Sequence, residues 1–399
     1  MSHAFITGLG IVSPIGVGKA AFLEGLLAGS CGLDRLTVLN ADELRVGRGG
    51  EVPASFVPEG DIDVDKQRGL AFGWTATLEA LADAGLALDD LPEATSVSIG
   101  SGAGEMRAME VSMAPPESEL TYESSDPIQT PNSLTSKLAK RIGIRGRQLT
   151  FINACAAGAQ AIAVGADLIR DGKAEIVVAG GIEILNRMVM SGFEALRAVS
   201  PTGPHPFDAR RDGIQLAELA AIVILESTER AQQRGVRAYA RIAGSGASAD
   251  AFHVVRPDEQ GAGAALALER ALADADLAPG DIDYINAHGT GTVQNDPAEL
   301  AAVVSVFGER AKQIPISSTK AMLGHALGAS GAAEAVICAL AIDGGFLPPT
   351  IGFQWPIEGY AGFDVVPNEV RRGVQLCHVL SSSFAFGGNN VVLAISAPA

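Results

Sequence analysis

Basic residues are scarce in this 399-residue chain: 29 Lys and Arg face 46 Asp and Glu, a formal charge of −17. That balance argues against nucleic acid as a partner, because phosphate binding needs a basic face. Cysteine is also rare. The four that occur, Cys31, Cys155, Cys338 and Cys377, form no CxxC pair and are too few for a disulfide framework, which points to a reducing cytoplasm. The six histidines show no HExxH spacing, so no catalytic metal is expected. Aromatics make up 5 % and charged residues 19 %, whereas 47 % of the chain is apolar, enough for a large core.

Long uninterrupted runs of large apolar residues are missing as well. Residues 148–166 and 373–399 are long and uncharged or nearly so, but Gly, Ala, Asn and Ser break them, and neither suits a bilayer of ~30 Å. They read as core strands and helices, with no membrane partner. Residues 1–18 carry no Lys or Arg and read as a first strand, not a secretory signal. The Gly100-Ser-Gly-Ala-Gly104 run lacks the full dinucleotide fingerprint and reads as turns.

What is present is an alternation of short β-branched runs with alanine-rich stretches. Strands are expected at residues 4–7, 96–99, 149–152, 175–178, 221–225, 282–285, 314–316, 379–381 and 391–395, and a helix at 262–277. This is an α/β pattern around a mostly parallel sheet. It also repeats. Residues 4–13 are echoed at 240–248, the strand and small-residue helix of 149–169 at 314–342, and the strand with glycines of 176–181 at 379–388. A duplicated unit, residues 1–235 and 236–399, would bring equivalent helix N-termini to one centre.

Cys155 lies in Phe151-Ile-Asn-Ala-Cys-Ala-Ala-Gly-Ala-Gln160, where an apolar strand turns abruptly into a helix of tiny side chains. A helix N-terminus favours a thiolate, supplies free N–H groups to an oxyanion, and with small neighbours admits a substrate. Asn286-Ala-His288-Gly-Thr-Gly-Thr292 sets a histidine at a strand's carboxyl end. Ser317-Ser-Thr-Lys320 leads to Gly324-His325, which opens the helix equivalent to the one after Cys155. A neutral His325 is expected there, with Lys320 and Glu334 as an ion pair.

Together Cys155, His288 to Thr292, Ser318 to Lys320 with His325, and Ser383-Phe-Ala-Phe-Gly-Gly388 resemble the β-ketoacyl-acyl-carrier-protein synthases, condensing enzymes of the thiolase superfamily. The resemblance spans nearly the whole chain. It implies the thiolase fold, a duplicated five-layered αβαβα arrangement, and a homodimer or a heterodimer with a ketosynthase-like subunit. It implies a 3-oxoacyl-[acyl-carrier-protein] synthase: Cys155 takes an acyl group, malonyl on an acyl carrier protein loses carbon dioxide, and the enolate attacks the thioester. No resident cofactor is implied, since 4′-phosphopantetheine enters on the carrier.

By the same resemblance, the amides of Cys155 and Phe386 form the oxyanion hole and His288 and His325 hold the malonyl thioester oxygen. Lys320, braced by Glu334, orients His325. Thr290 and Thr292 meet the phosphopantetheine arm, Phe384 and Phe386 gate the pocket, and Phe193 and Ala103 line it. Arg197, Lys66 and Arg68 fall where relatives dock the carrier; Lys137, Lys140 and Arg141 are a second basic group. Two features depart from the pattern: Ala217-Glu-Leu-Ala220 stands where relatives read Gly-Glu-Gly-Ala, and residues 106–131 are atypical. These put pocket shape in question and suggest a specialised polyketide, aryl polyene or modified fatty-acid pathway. A chain-length partner subunit would lack Cys155; a degradative thiolase would carry a second cysteine near Gly387-Gly388; an acyltransferase that never elongates would keep this set.

Overall fold

The computed structural model describes residues 3–112, 130 and 132–398. Most of the atypical stretch at 106–131 and the polar excursion at 115–126 therefore lie outside the described residues. Ten strands carry the architecture. In the first half these are β1 (Ala4–Ser13), β2 (Ser96–Gly100), β3 (Gln148–Phe151), β4 (Ile176–Glu183) and β5 (Leu219–Ser227). The second half has β6 (Ala240–Ala249), β7 (Tyr284–Asn286), β8 (Ile316–Ser317), β9 (His378–Ala385) and β10 (Asn389–Ser396). With a short Gly16–Val17 strand on β1 they form one sheet ordered β8-β7-β9-β10-β6-β1-β5-β4-β2-β3.

Each half runs third, second, fourth, fifth, first in its own chain order. The directions match too: β2 is parallel to β3 and β4, and β7 to β8 and β9, while the other pairings in each half are antiparallel. The first strands, β1 and β6, meet antiparallel through Ala4–Ile242, Phe5–Arg241 and Ile6–Ala240, the relation a two-fold axis between halves requires. The expectation of a mostly parallel sheet is corrected: half of the pairings within each unit are antiparallel. The three-residue turn Phe386–Gly388 joining β9 to β10 permits nothing else.

Strands buried on both faces read as continuous apolar runs. On β5, Ala221, Val223 and Leu225 join a central core, and Ala220, Ile222 and Ile224 join an outer one. On β10, Val391, Leu393 and Ile395 face that same central core, while Val392 and Ala394 face a third. The outer layers are α1 (Arg68–Asp83) and α2 (Ser133–Ile142) on one side, and α5 (Ala262–Asp274) and α6 (Asn295–Phe307) on the other. Between the half-sheets lie α3 (Ala157–Arg170) and α7 (Leu327–Gly344); α4 (Arg187–Ala195) sits at the rim. This is the five-layered αβαβα arrangement.

Small residues let α3 and α7 touch. A Cβ on Gly158 would lie 2.8 Å from Gly328 O, and one on Gly331 would lie 2.9 Å from Ala159 N, so any larger side chain would push the helices apart. That seam brings their N-termini together. Among the described residues α7 alone is long and apolar enough to cross a membrane, and it is instead the buried helix of the central layer.

Candidate active site

The carboxyl end of β3 delivers Asn153, and the chain then turns sharply through Ala154, whose φ of 52° is unusual for a residue with a Cβ. Cys155 follows at the start of α3, buried, with Sγ 3.2 Å from His325 Nε2. His325 precedes α7 and is fixed by its backbone: its N–H donates to Gln215 O (2.7 Å), and its carbonyl accepts from Ala217 N (3.0 Å). Its Nδ1 lies 3.0 Å from Ser330 Oγ.

His288 leaves the end of β7, its ring centroid 5.2 Å from that of His325. Glu299 of α6 accepts from the amides of His288 and Gly289, both at 2.8 Å. Gly289 and Gly291 have φ of 38° and 76°, and a Cβ on Gly289 would lie 2.5 Å from Ser318 Cβ, so the loop needs glycine there. Lys320 Nζ donates to His288 O (2.6 Å), lies 3.4 Å from His288 Nδ1, and is paired with Glu334. An ammonium can only donate. Nδ1 of His288 therefore accepts, and Nε2 carries the proton toward the cleft.

Burial and then the Lys320 charge hold His325 neutral well below its ordinary range, and burial, Lys320 and His325 do the same to His288. Burial also pushes the Cys155 thiol up to about 12, against the pull of Lys320 and the Phe386 N–H aimed at Sγ. Desolvation therefore works against the thiolate that a helix N-terminus favours. Alkylation of Cys155 by iodoacetamide should accordingly keep rising with pH from 7 to 9 without levelling off. A plateau below pH 8, followed by peptide mass spectrometry, would show a thiol of much lower pKa.

The Cys155, His288 and His325 donor atoms lie within 4.8 Å of one another, the one such group among the described residues. Sulfur and imidazole would suit a soft divalent ion. The Lys320 ammonium beside His288 opposes one, since a second positive charge would sit against it without a free carboxylate: Glu334 is paired with Lys320 and Glu299 takes two amides.

The three groups open onto a cleft of about 310 Å³ that is also lined by Thr290, Thr292, Phe193, Phe384, Phe386 and Arg197. The sequence profile of the beta-ketoacyl synthase N-terminal domain matches residues 2–231, and that of the C-terminal domain residues 239–354. The 3-oxoacyl-[acyl-carrier-protein] synthase 2 of Staphylococcus aureus is 35 % identical over 402 residues, covering 97 % of this chain and 96 % of that protein. Among the solved structures that cover the whole chain and are covered whole by it, two are informative. One is the ishigamide ketosynthase/chain length factor, at 33 % identity and a TM-score of 0.91. The other is a type II PKS acyl-carrier protein in complex with its ketosynthase bound to the hexaketide, at 31 % and 0.87. The chain belongs to the β-ketoacyl synthase family. Its fold is the thiolase fold and its activity that of a 3-oxoacyl-[acyl-carrier-protein] synthase.

Within this synthase, Thr290 and Thr292 share a hydrogen bond of 3.0 Å at the cleft wall. Phe384 packs edge-on against His288, and Phe386 stacks on Phe193 with ring centroids 5.4 Å apart. Four expectations need correction. Lys320 contacts His288, not His325, because the turn before α7 points His325 at Ser330 instead. Ala103 is not among the residues lining the cleft: its amide and those of Gly102 and Gly328 are drawn onto the buried Glu183 carboxylate.

Arg68 is not a free docking cation. Its guanidinium binds the fully buried Glu218 through Nε (2.8 Å) and Nη2 (2.5 Å) and lies over the Phe72 ring. The Ala217-Glu-Leu-Ala220 departure does not itself line the cleft: Ala217 and Leu219 are buried in the central core, neither at positive φ, and Ala217 N–H donates to the His325 carbonyl. Lys66 is exposed beside α1, away from the cleft lining, whereas exposed Arg197 is at the lining itself. Of the second basic group, Lys137 lies 3.7 Å from the buried Glu105 and Arg141 stacks on Trp74.

Sequence reading missed Glu183 and Glu299, which pin loops through backbone amides, and Ser330. Burial raises Glu183 to about 7 and Glu299 to about 8. It also missed the 250–257 segment, from which Asp250, His253, Val255, Arg256 and Pro257 line the cleft, latched by Gly387 N to Val254 O and Asp250 N to Gly388 O. Carboxylates that serve backbone amides leave no spacing signature. A serine one turn into an alanine-rich helix could have been flagged as polar where every neighbour is small and apolar.

Proposed function

We propose that Cys155, His288 and His325 carry out decarboxylative condensation of a malonyl thioester on an acyl carrier protein with an acyl group held on Cys155. The supporting observation is that a sulfur and two neutral imidazoles, 3.2 Å and 5.2 Å apart in sequence of contact, share one cleft. Attack of Sγ forms the Cys155 thioester and breaks the incoming C–S bond, and the thiol proton leaves with the departing carrier sulfur. The Phe386 N–H, aimed at the sulfur, is placed for the acyl oxyanion together with the Cys155 N–H.

Malonyl-carrier then enters past Thr290 and Thr292. Loss of carbon dioxide leaves an enolate whose oxygen is held by His288 and His325, and its carbon attacks the Cys155 thioester to give the β-ketoacyl carrier and the free sulfur. Before an acyl chain enters, the stacked Phe193 and Phe386 rings must part. In this reading residues 1–235 supply the nucleophile and residues 236–399 both imidazoles, no resident cofactor is needed, and phosphopantetheine arrives with the carrier. Arg197 is the docking cation nearest the cleft. A second subunit, identical or ketosynthase-like, would continue the sheet beyond β3, which ends it beside the exposed Ile152. The cytoplasm is the proposed location.

The test is incubation with malonyl-carrier protein and a panel of acyl-carrier proteins, followed by intact mass. Wild type should show an acyl adduct and a product two carbons longer. His325→Ala should still acylate but extend about 10²-fold more slowly, the loss typical of one oxyanion donor. Extension at the wild-type rate would remove that histidine from the reaction, and acylation without extension by the wild type would make the chain an acyltransferase.

A further inference from the structure

Ser330 has no part in the reaction as described so far. It lies in the first turn of α7, 4 % exposed, and its Oγ is 3.0 Å from His325 Nδ1. Neither atom has another hydrogen bond among the described residues. Two arrangements fit that distance. Either Nδ1–H donates to Oγ and the sulfur's S–H points at Nε2, or the hydroxyl donates to Nδ1 and Nε2 carries the proton.

The first leaves the hydroxyl proton of a buried serine without an acceptor among the described residues, a penalty of about tenfold or more in population. The second forgoes only an S–H···N contact, and a thiol is a weak donor. The second arrangement therefore dominates. We propose that Ser330 is a positioning residue that donates to Nδ1 and holds His325 in the tautomer with Nε2–H facing Cys155 and, after acylation, the extender's thioester oxygen.

The groups around His325 agree with this. Lys320, Cys155 and His288 face the imidazole, Glu334 is taken up by Lys320 and Glu183 by three amides, so no carboxylate competes for a proton on Nδ1. Both imidazoles then present Nε2–H to the cleft, but through different donors: a lysine ammonium for His288 and a serine hydroxyl for His325. The inference rests on the condensation reading for its consequence, though not for its geometry.

The test is ¹⁵N NMR of enzyme labelled at histidine nitrogen, with the His325 resonance identified from its loss in His325→Ala. Wild type should show a protonated Nε2 and a bare Nδ1. In Ser330→Ala, which α7 should accept readily, the resonance should shift toward a mixture of tautomers. Extension kcat should fall about tenfold, while Cys155 acylation and KM for the acyl carrier stay within about twofold. Ser330→Thr, which keeps the hydroxyl, should restore the tautomer and most of the rate. A wild-type Nδ1 proton, or an unchanged tautomer and extension rate in Ser330→Ala, overturns the proposal. Failure of the wild type to extend any carrier would overturn the condensation reading and leave the tautomer result standing.

Discussion

Cys155→Ala should form no acyl adduct and should extend no acyl carrier, a loss of at least about 10³-fold, while continuing to decarboxylate malonyl-carrier protein. The two activities separate because they use different atoms. Condensation needs the sulfur as a covalent acceptor. The enolate left by carbon dioxide needs only donors for its oxygen, and His288, fixed by Lys320, does not depend on the sulfur for its tautomer. Alanine is the appropriate replacement, since residues 154, 156 and 157 are already alanine and the elbow is built for small side chains. Intact mass reads the adduct, release of labelled carbon dioxide reads the decarboxylation, and a thermal midpoint near wild type shows the fold is kept. An acyl adduct on the variant would place the nucleophile elsewhere. Loss of decarboxylation along with condensation would mean the sulfur, not the imidazoles, organises the malonyl group.

Arg68→Ala should cost about 3–5 kcal/mol of stability, the range for removing one partner of a buried ion pair. Glu218 is fully buried; among the described residues its carboxylate accepts, besides Arg68, the Val52 amide at 3.0 Å, and Arg107 is a second cation in its field. Without the guanidinium the buried carboxylate would lose its hydrogen-bonded cation, and Phe72 would lose the group stacked on it. Adding Glu218→Gln, which removes the charge but keeps an acceptor for Val52, should recover part of the loss; thermal and urea midpoints of the three proteins measure it. A docking arginine would behave in the opposite way, with an unchanged midpoint and a higher KM for the carrier at low salt.

These two positions mark how far sequence carries the argument. Cys155, His288 and His325 were legible because each sits at a punctuation point, a strand end running into glycine or a helix of small residues, where chain geometry exposes a side chain. The halves were legible because the strand pattern repeats. Strand directions were not, as periodicity is blind to direction: β4 and β5 look alike as apolar runs whether they lie parallel or antiparallel. Arg68 failed for a related reason. A basic residue among Asp61, Asp63 and Asp65 reads as surface, and its partner Glu218 is 150 positions away, visible only after the sheet has formed. Lys320 and His288, 32 positions apart, likewise meet only once the sheet has formed, and Ser330 differs from its alanine neighbours by one oxygen.

The seam between α3 and α7 also constrains how the protein is made. A ribosome that has just released residue 170 has completed α3 but must synthesise more than 150 further residues before α7, the helix that covers it, exists. Throughout that interval the nascent first half carries an uncovered alanine- and isoleucine-rich surface. Incomplete chains should therefore be prone to clumping and dependent on holding factors, and the nucleophile stays unguarded until synthesis is nearly finished.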